Sequence, residues 1–308
     1  MLATVPPWVD RIIVVDDQCP ELTGKHVQER CSDRRVEVLF NKENLGVGGA
    51  VIAGFERAAQ EGCAVMIKMD GDGQMDPRYL ERLISPLRNS RADLTKGNRF
   101  YDLDALQRMP WVRRVGNFSL NIVTKFASGH WHISDYTNGY LAIRSEVFTV
   151  LNKRKLDCGY FFEISLLIQL NVVRALVVDV PIPARYGDES SSLNIWTALT
   201  SFPWKLFRGL VGRFLWKYFI YDISSVTVFS VLGFLCLSFG VSFGAWKWIE
   251  AALTTRAQTA GTVSLAALPT IMGFQMILQA LLLDVIDRPL QPISDLLVSL
   301  QPQENPEI

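Results

Sequence analysis

Two long stretches without a charged residue lie near the carboxyl end of this 308-residue chain. They cover residues 223–246 and 257–283. A helix needs about 20 consecutive apolar residues to cross the hydrocarbon layer of a membrane, and each stretch meets that length. The sequence therefore predicts two transmembrane helices. Two buried helices of a soluble domain are the alternative.

The segment that precedes the first of these stretches mixes aromatic and basic side chains. Its basic residues are Lys205, Arg208, Arg213 and Lys217. Such a mixture is typical of a helix at a membrane surface, where aromatic rings lie at head-group depth and cations face phosphate. An amphipathic core helix is the alternative. Because basic residues beside a span favour the cytoplasmic side, we predict a multi-pass protein of the cell membrane with its soluble domain in the cytoplasm.

These patterns divide the chain into four parts. We predict a soluble domain at 1–194, an interfacial helix at 195–222, a two-helix anchor at 223–290 and a cytoplasmic tail at 291–308. Basic and acidic residues are balanced at 31 each, so no global field attracts nucleic acid. The five cysteines form no CxxC pair, which favours a reducing compartment over a disulfide or zinc framework.

The soluble domain alternates short apolar runs with longer helical patterns. Strand-like runs occupy residues 9–17, 36–41, 64–70, 92–100 and 175–191. Helical patterns occupy residues 44–62, 77–87, 111–128 and 160–170. This alternation predicts an α/β fold with a mostly parallel sheet covered by helices on both faces. Ligands of such sheets bind beyond the carboxyl ends of the strands.

The segment MDGDGQMDP follows the third predicted strand and brings several oxygen ligands close together. Asp70 and Asp72 alternate along the backbone, so both can face one ligand only if the chain bends, which Gly71 and Gly73 permit. With the amide of Gln74 they form an oxygen-only donor set. Such a set suits Mg²⁺ or Mn²⁺ with retained waters and ligand phosphates. A solvated acidic turn is the alternative.

Two arginines and a glycine-rich turn could add contacts to phosphate. Arg99 ends the fourth predicted strand, and Arg185 lies in the loop before the membrane segment. A guanidinium group makes forked hydrogen bonds to phosphate. The turn that begins at Gly46 could offer backbone N–H groups at a helix start. The turn is shorter than a phosphate-loop motif, and helix packing is the alternative.

Five segments, in their order and spacing, resemble the family 2 glycosyltransferases of GT-A fold. The likeness is greatest to the polyprenol-phosphate glycosyltransferases related to dolichol-phosphate mannose synthase. The segments are VVDD, MDGDGQMDP, KGNRF, DYTNGYLAIR and RYGDESS. The resemblance covers about residues 8–195 and, more loosely, the two-helix tail. It implies a Rossmann-like nucleotide-diphospho-sugar transferase fold and a hexosyltransferase activity.

The resemblance implies how a sugar donor would be bound. Asp16 and Asp17 would contact the nucleoside of a UDP- or GDP-sugar. Asp70, Asp72 and Gln74 would hold the Mg²⁺ or Mn²⁺ ion on the donor's diphosphate.

The resemblance also implies the acceptor side of the site. Arg185 would steady phosphate together with Arg99, and Ser190 and Ser191 would belong to the adjoining acceptor loop. Asp135 matches an acidic position beside the transferred sugar; a turn cap is the alternative reading. The predicted catalytic residues are therefore Asp72, Arg99, Asp135 and Arg185.

The implied acceptor is a polyprenyl phosphate such as undecaprenyl or dolichyl phosphate. This nucleophile is already anionic at neutral pH, so catalysis can rest on positioning and on stabilising the leaving diphosphate. A strong general base is then dispensable. Glu163 resembles an acid that faces the active site in relatives, with a structural ion pair as the alternative. Relatives with paired anchor helices also imply a homo-oligomer.

Two departures from the family pattern are visible. Members usually begin with one further strand, whereas this sequence opens beside the expected second strand, so we expect an N-terminally truncated domain that lacks the first strand. Val47 occupies a position where relatives often have lysine.

Three alternative functions remain open. They are an inactive membrane-anchored paralogue, transfer to another lipid, and synthesis of a polysaccharide. A processive synthase would be expected to carry a QxxRW segment and more spans than the two predicted here.

Overall fold

The computed structural model describes residues 2–101, 111–183 and 195–300. The chain separates into two compact units. One consists of residues 1–213 together with 289–308, and the other of residues 214–288. We call them the catalytic unit and the hairpin unit.

The strands of the catalytic unit form two sheets. They are β1 (Ile12–Asp16), β2 (Val36–Phe40), β3 (Val65–Lys68), β4 (Leu94–Asn98), β5 (Leu141–Arg144) and β6 (Val177–Pro181). β1 and β2 pair in parallel. The other four strands form a sheet in the order β3-β5-β4-β6, in which β5 runs antiparallel to both neighbours and β4 pairs with β6 in parallel.

The helices alternate with these strands along the chain. They are α1 (Thr23–Arg30), α2 (Gly46–Gln60), α3 (Leu80–Arg88), α4 (Trp111–Ser128), α5 (Ser145–Val150), α6 (Phe162–Val172) and α7 (Ile195–Leu215). The remaining three are α8 (Ser225–Thr254), α9 (Ala260–Ile286) and α10 (Ile293–Leu300).

This arrangement confirms the predicted α/β class, and β1 to β4 lie inside the predicted runs. The larger sheet is mixed rather than mostly parallel, because β5 inserts antiparallel between β3 and β4. β5 was not predicted as a strand. Of the predicted strand at 175–191, only Val177–Pro181 is strand, and residues 184–191 lie outside the described part of the chain.

The core fills both faces of the four-stranded sheet. On one face, α3 buries Leu80, Leu83, Ile84 and Leu87, the spacing of an amphipathic helix. On the other face, α6 is buried on nearly all sides, with Phe162 packed into the same cluster as Phe148. Complete burial of a side chain of this size stabilises the fold by about 1.5–3 kcal/mol. These contacts fix the carboxyl ends of β3 and β4.

The short helix α10 packs on the catalytic unit, although it follows the hairpin in sequence. The fully buried Asp93 accepts hydrogen bonds from the N–H groups of Ile293 and Ser294, at 2.9 Å each. It also accepts one from Leu176 at 2.7 Å. Asp93 therefore caps α10 from a different part of the chain. Leu297 of α10 packs against the main core.

The hairpin unit contains the two helices long and apolar enough to cross a membrane. They are α8, with 30 residues and a mean hydropathy of 2.1, and α9, with 27 residues and 1.7. Glycines allow the two helices to approach closely, since a Cβ on Gly273 would lie 2.4 Å from the Leu237 nitrogen. Lys247 and Glu250, which follow the first uncharged stretch, form an ion pair within the last turns of α8.

The predicted interfacial segment is helical, and α7 exposes an apolar row. Trp204 and Phe207 are 65% and 56% exposed, and their rings stack. In the catalytic unit, α4 exposes Phe118 as well, which was not predicted. Such exposed apolar rows are typical of surfaces that contact a membrane or a partner.

Two of the predicted phosphate-facing cations are buried instead. Arg213 donates to the carbonyls of Phe126 and Ala127 inside the catalytic unit. Lys217 pairs with Asp287 at 3.0 Å inside the hairpin unit. Both cations therefore bind acceptors within their own unit.

Candidate active site

A polar cavity of about 210 Å³ opens at the carboxyl ends of β3 and β4. It brings together Asp70, Asp72, Gln74 and Arg99, as the sequence predicts. The loop that leads into β5 completes the wall. That loop contributes Thr137, Asn138, Gly139 and Tyr140.

The acidic turn is held by local hydrogen bonds. Asp72 Oδ1 accepts from the backbone N–H of Gln74 at 2.9 Å, which closes a tight turn. Gly73 has a φ of +75°, a left-handed conformation that L-residues rarely adopt. The chain therefore turns tightly directly after Asp72, and this turn depends on Gly73.

A buried lysine lies beneath Asp70. Lys68 Nζ is 2.5 Å from Asp70 Oδ1 and 3.2 Å from Glu163 Oε1. Burial alone would lower the pKa of Lys68, but the charges of Glu163 and Asp70 outweigh it and raise the pKa above its ordinary value. Lys68 is therefore a permanent cation at the base of the cavity. Glu163 therefore forms a structural ion pair, which was the alternative interpretation of this residue.

Arg99 and Asp135 form a forked ion pair at the far wall. Arg99 Nε lies 2.8 Å from Asp135 Oδ2, and Nη2 lies 3.1 Å from Oδ1. Burial raises the pKa of Asp135, but the hydrogen bonds and charge of Arg99 outweigh it, so the pKa lies below its usual range. Arg99 lines the cavity, whereas Asp135 is fully buried behind it. In the structure Asp135 holds Arg99, and its place beside the transferred sugar stays a prediction.

A second buried lysine supports the wall from behind. Lys96 is almost fully buried, and its Nζ donates to the carbonyl of Asn138. Desolvation lowers the pKa of Lys96 to about 8. The Asn138 amide in turn donates to the Gly97 carbonyl at 2.8 Å. These bonds tie the loop before β5 to β4.

The oxygen atoms around the acidic turn fit a divalent cation that keeps part of its hydration. Asp70, Asp72 and Gln74 line one cavity and offer only hard oxygen ligands. Among residues 2–101, 111–183 and 195–300, no three His, Cys, Asp or Glu side chains form a closed metal cage. Waters and ligand phosphates would have to complete the coordination, as is usual for Mg²⁺.

The two aspartates predicted to contact the nucleoside, Asp16 and Asp17, accept hydrogen bonds from backbone N–H groups of the protein itself. Asp16 accepts hydrogen bonds from the N–H groups of Cys19 and Gly24, at 2.8 and 2.7 Å. Asp17 accepts from the N–H groups of Leu45 and Gly46, at 2.9 and 2.7 Å. Neither carboxylate lines the cavity that contains the acidic turn. Both aspartates stabilise turns of the backbone in this structure. Their contact with a nucleoside stays a prediction.

The glycine turn packs closely against the backbone at Cys158. The N–H of Gly46 is bonded to Asp17, and a Cβ on Gly46 would lie 2.7 Å from the Cys158 carbonyl oxygen. Gly49 donates to that same carbonyl at 3.0 Å. The Gly46 N–H thus has a carboxylate partner in this structure, and its contribution to phosphate binding stays a prediction.

Three predicted site residues lie outside the described part of the chain. They are Arg185, Ser190 and Ser191. Their assignment to the acceptor side stays a prediction.

Sequence reasoning missed the lysine beneath the acidic turn and the cavity-lining residues of the loop before β5. Lys68 looked like an ordinary strand residue, although a lysine inside an apolar run is itself a signal of a buried ion pair. Asn138 and Thr137 stand inside a motif that was recognised, but their contacts depend on β5.

A buried carboxyl group behind the cavity gives a testable pH dependence. Asp179 Oδ2 accepts hydrogen bonds from Asn98 and from the Ser134 N–H, while Oδ1 has no partner among the described residues. Burial raises the pKa of Asp179 to about 6. The folded protein therefore binds the Asp179 proton more tightly than the unfolded chain does. This proton linkage stabilises the fold fully below the unfolded pKa near 3.8, and the stabilisation is lost as pH rises through about 6.

We expect Asp179→Asn, which keeps an acceptor oxygen, to be more stable than the wild type at pH 7.5. The difference should be on the order of 3 kcal/mol at most and should shrink as pH falls from 7 to 5. Thermal denaturation of both proteins over this range measures it. A stability difference that does not change with pH would contradict the assignment.

Comparison with known proteins agrees with this geometry. Residues 5–151 match the model of the family described as glycosyl transferase family 2. The polyprenol monophosphomannose synthase of Mycolicibacterium smegmatis is 34% identical over 174 residues, which are 56% of this chain and 65% of that protein. The undecaprenyl-phosphate mannosyltransferase of Micrococcus luteus is 30% identical over 173 residues, which are 56% of this chain and 70% of that protein.

A solved structure shares the fold. The glucosyl-3-phosphoglycerate synthase of Mycobacterium tuberculosis, in complex with uridine diphosphate, superposes with a TM-score of 0.50. The two chains are 18% identical, and the match covers 69% of this chain and 73% of that one. The α/β architecture is thus that of a known glycosyltransferase, and the similarity to the Micrococcus protein extends over more than two thirds of its length. The chain belongs to glycosyl transferase family 2.

Proposed function

We propose that the protein transfers a sugar from a nucleoside-diphosphate sugar to a polyprenyl phosphate at a membrane surface. The observation that carries this proposal is the convergence of Asp70, Asp72, Gln74 and Arg99 in one cavity at the carboxyl ends of the strands. The matched relatives are named as transferases to polyprenol or undecaprenyl phosphate. The alignment covers 65% of the first of them, so the activity of the whole protein is our inference.

The cavity suits a diphosphate leaving group. When bound by Asp70, Asp72 and Gln74, a Mg²⁺ or Mn²⁺ ion would neutralise the charge that develops on the leaving diphosphate. Arg99 adds a fixed cation on the opposite wall, and Asp135 holds its guanidinium in one orientation. Because this arrangement is already formed, it stabilises the developing charge without reorganisation during the reaction.

The acceptor needs little activation by the protein. In the transfer, the bond from the anomeric carbon to the diphosphate oxygen breaks, and a bond to an acceptor phosphate oxygen forms. The transition state resembles an oxocarbenium ion, as in glycoside hydrolysis. A phosphate acceptor carries negative charge at neutral pH, so no proton has to be removed first.

The apolar surfaces favour a lipid acceptor over a soluble one. Two helices of the hairpin unit are long enough to cross a membrane. In the catalytic unit, α7 exposes Trp204 and Phe207, and α4 exposes Phe118. Aromatic side chains are favoured at head-group depth, where the phosphate of a polyprenyl phosphate lies. The basic residues before α8 favour a cytoplasmic catalytic unit in a multi-pass protein.

The proposal is tested with the full chain in detergent or vesicles. We expect radiolabel from a UDP- or GDP-sugar to appear in an organic-solvent extract when undecaprenyl or dolichyl phosphate is added with Mg²⁺ or Mn²⁺. A label that enters only a water-soluble polymer would indicate a polysaccharide synthase instead. No transfer from any member of a panel of sugar nucleotides would contradict the proposal.

A further inference from the structure

An ionic cluster lies directly beneath the acidic turn. Lys68 is the last residue of β3, and its side chain is only 3% exposed. Its ammonium group contacts Asp70 Oδ1 at 2.5 Å and Glu163 Oε1 at 3.2 Å. The Glu163 side chain, in the first turn of α6, is 12% exposed, whereas that of Asp70 is 37% exposed. A buried cation thus lies between a buried carboxylate and one that reaches the cavity.

The ion pair with Lys68 uses Oδ1 of Asp70 and leaves Oδ2 at the cavity wall. The far side of the ion pair is closed by Gly139, because a Cβ there would lie 2.3 Å from Lys68 Nζ and 2.7 Å from Asp70 Oδ2. Asp70 is therefore held between an ammonium group and the backbone. Among the described residues, its Oδ2 has no hydrogen-bond partner, so this oxygen can bind a cation.

The charges of the cluster explain why two acidic residues are needed. Lys68 alone would neutralise Asp70 and oppose a cation nearby. Glu163 supplies a second negative charge, so one ammonium group and two carboxylates leave the cluster with the net charge of a single carboxylate. The orientation of Asp70 is fixed while its full charge is retained for a ligand.

We infer that Lys68 is a positioning residue for the cation-binding carboxylate of Asp70, and that Glu163 is the counter-ion that permits it. The inference rests on the proposed function, since it concerns the divalent cation and diphosphate of the same site. It assigns to Lys68 and Glu163 an effect on cation affinity, through Asp70, without direct contact to substrate.

The test measures Mn²⁺ binding by electron paramagnetic resonance, with and without UDP or GDP, on the purified full chain. We expect Lys68→Met to weaken Mn²⁺ binding about tenfold or more, the usual effect of removing a residue that orients a metal ligand. Glu163→Gln should weaken it to a smaller extent, because Lys68 stays in contact with Asp70 and then neutralises its charge.

The double variant Lys68→Met/Glu163→Gln separates positioning from stability. Lys68→Met leaves the buried Glu163 without its ionic partner, whereas the double variant removes both of these charges. We expect its melting temperature to return close to that of the wild type while Mn²⁺ binding stays weak. Lys125→Met serves as the control, since within the described part of the chain this partly buried lysine donates to the carbonyls of Trp131 and Ile133 and has no contact with the acidic turn. Its Mn²⁺ binding should equal that of the wild type.

Three results would overturn the inference. Wild-type Mn²⁺ affinity in the double variant would show that Lys68 is only structural. Tighter binding in Lys68→Met would show that Lys68 competes with the cation. A wild-type protein that binds no Mn²⁺, with or without nucleotide, would overturn the metal site and this inference together. A different result would separate this inference from the proposed function. If the variants bind Mn²⁺ more weakly but the wild type does not glycosylate polyprenyl phosphate, the proposed acceptor is refuted and the role of Lys68 is supported.

Discussion

Replacing either aspartate of the acidic turn by asparagine, as Asp70→Asn or Asp72→Asn, is expected to reduce sugar transfer on the order of 10³-fold. Each change removes one negative oxygen ligand from the cavity while preserving the size of the side chain. The turn should persist in Asp72→Asn, because the asparagine oxygen can still accept the hydrogen bond from the Gln74 N–H. Initial rates at several Mg²⁺ and Mn²⁺ concentrations measure the loss.

Glu81→Gln provides the matched control for this pair. Glu81 is an exposed carboxylate of α3 that pairs with Arg88 and does not line the site cavity. It should retain wild-type turnover. Near-native turnover in Asp70→Asn or Asp72→Asn, with either metal supplied, would refute the assignment of the cation site.

The second large effect is expected at the opposite wall. Arg99→Gln removes the cation that we propose to face the diphosphate, and we expect kcat to fall by about 10²-fold or more. Arg99→Lys keeps the charge but loses the forked contact with Asp135, so we expect an intermediate loss. Steady-state kinetics of both variants, at saturating donor, measure these effects.

Stability must be measured beside the kinetics of these arginine variants. Arg99→Gln leaves the buried Asp135 without its ionic partner, which typically costs about 3–5 kcal/mol. Arg99→Lys should retain most of that stability. If Arg99→Lys had the stability and the turnover of the wild type, the forked geometry would be irrelevant to transfer.

The fold class and the acidic turn could be predicted because they depend on local patterns. Apolar runs followed by polar turns mark β1 to β4, and uncharged length marks α8 and α9. The tight turn through Asp72 and Gly73 depends on residues adjacent in sequence. These features need no knowledge of distant contacts.

The contacts that could not be predicted are those in which a distant partner decides what a side chain does. Asp17 belongs to a recognised motif, but it accepts hydrogen bonds from the N–H groups of Leu45 and Gly46, which lie 28 and 29 positions further along the chain. Asp135 turned out to support Arg99, because the loop before β5 passes behind the end of β4. Arg213 and Lys217 look like surface cations until their buried acceptors are known.

The docking of α10 on the catalytic unit has a consequence for biogenesis. Asp93 binds a segment that is synthesised only after both helices of the hairpin, 200 residues later in the chain. The catalytic unit therefore cannot complete its own packing before the hairpin unit has left the ribosome. A chain truncated within α9 would leave the Asp93 carboxylate without two of its donors, so the final maturation of the catalytic unit depends on complete synthesis of the hairpin unit.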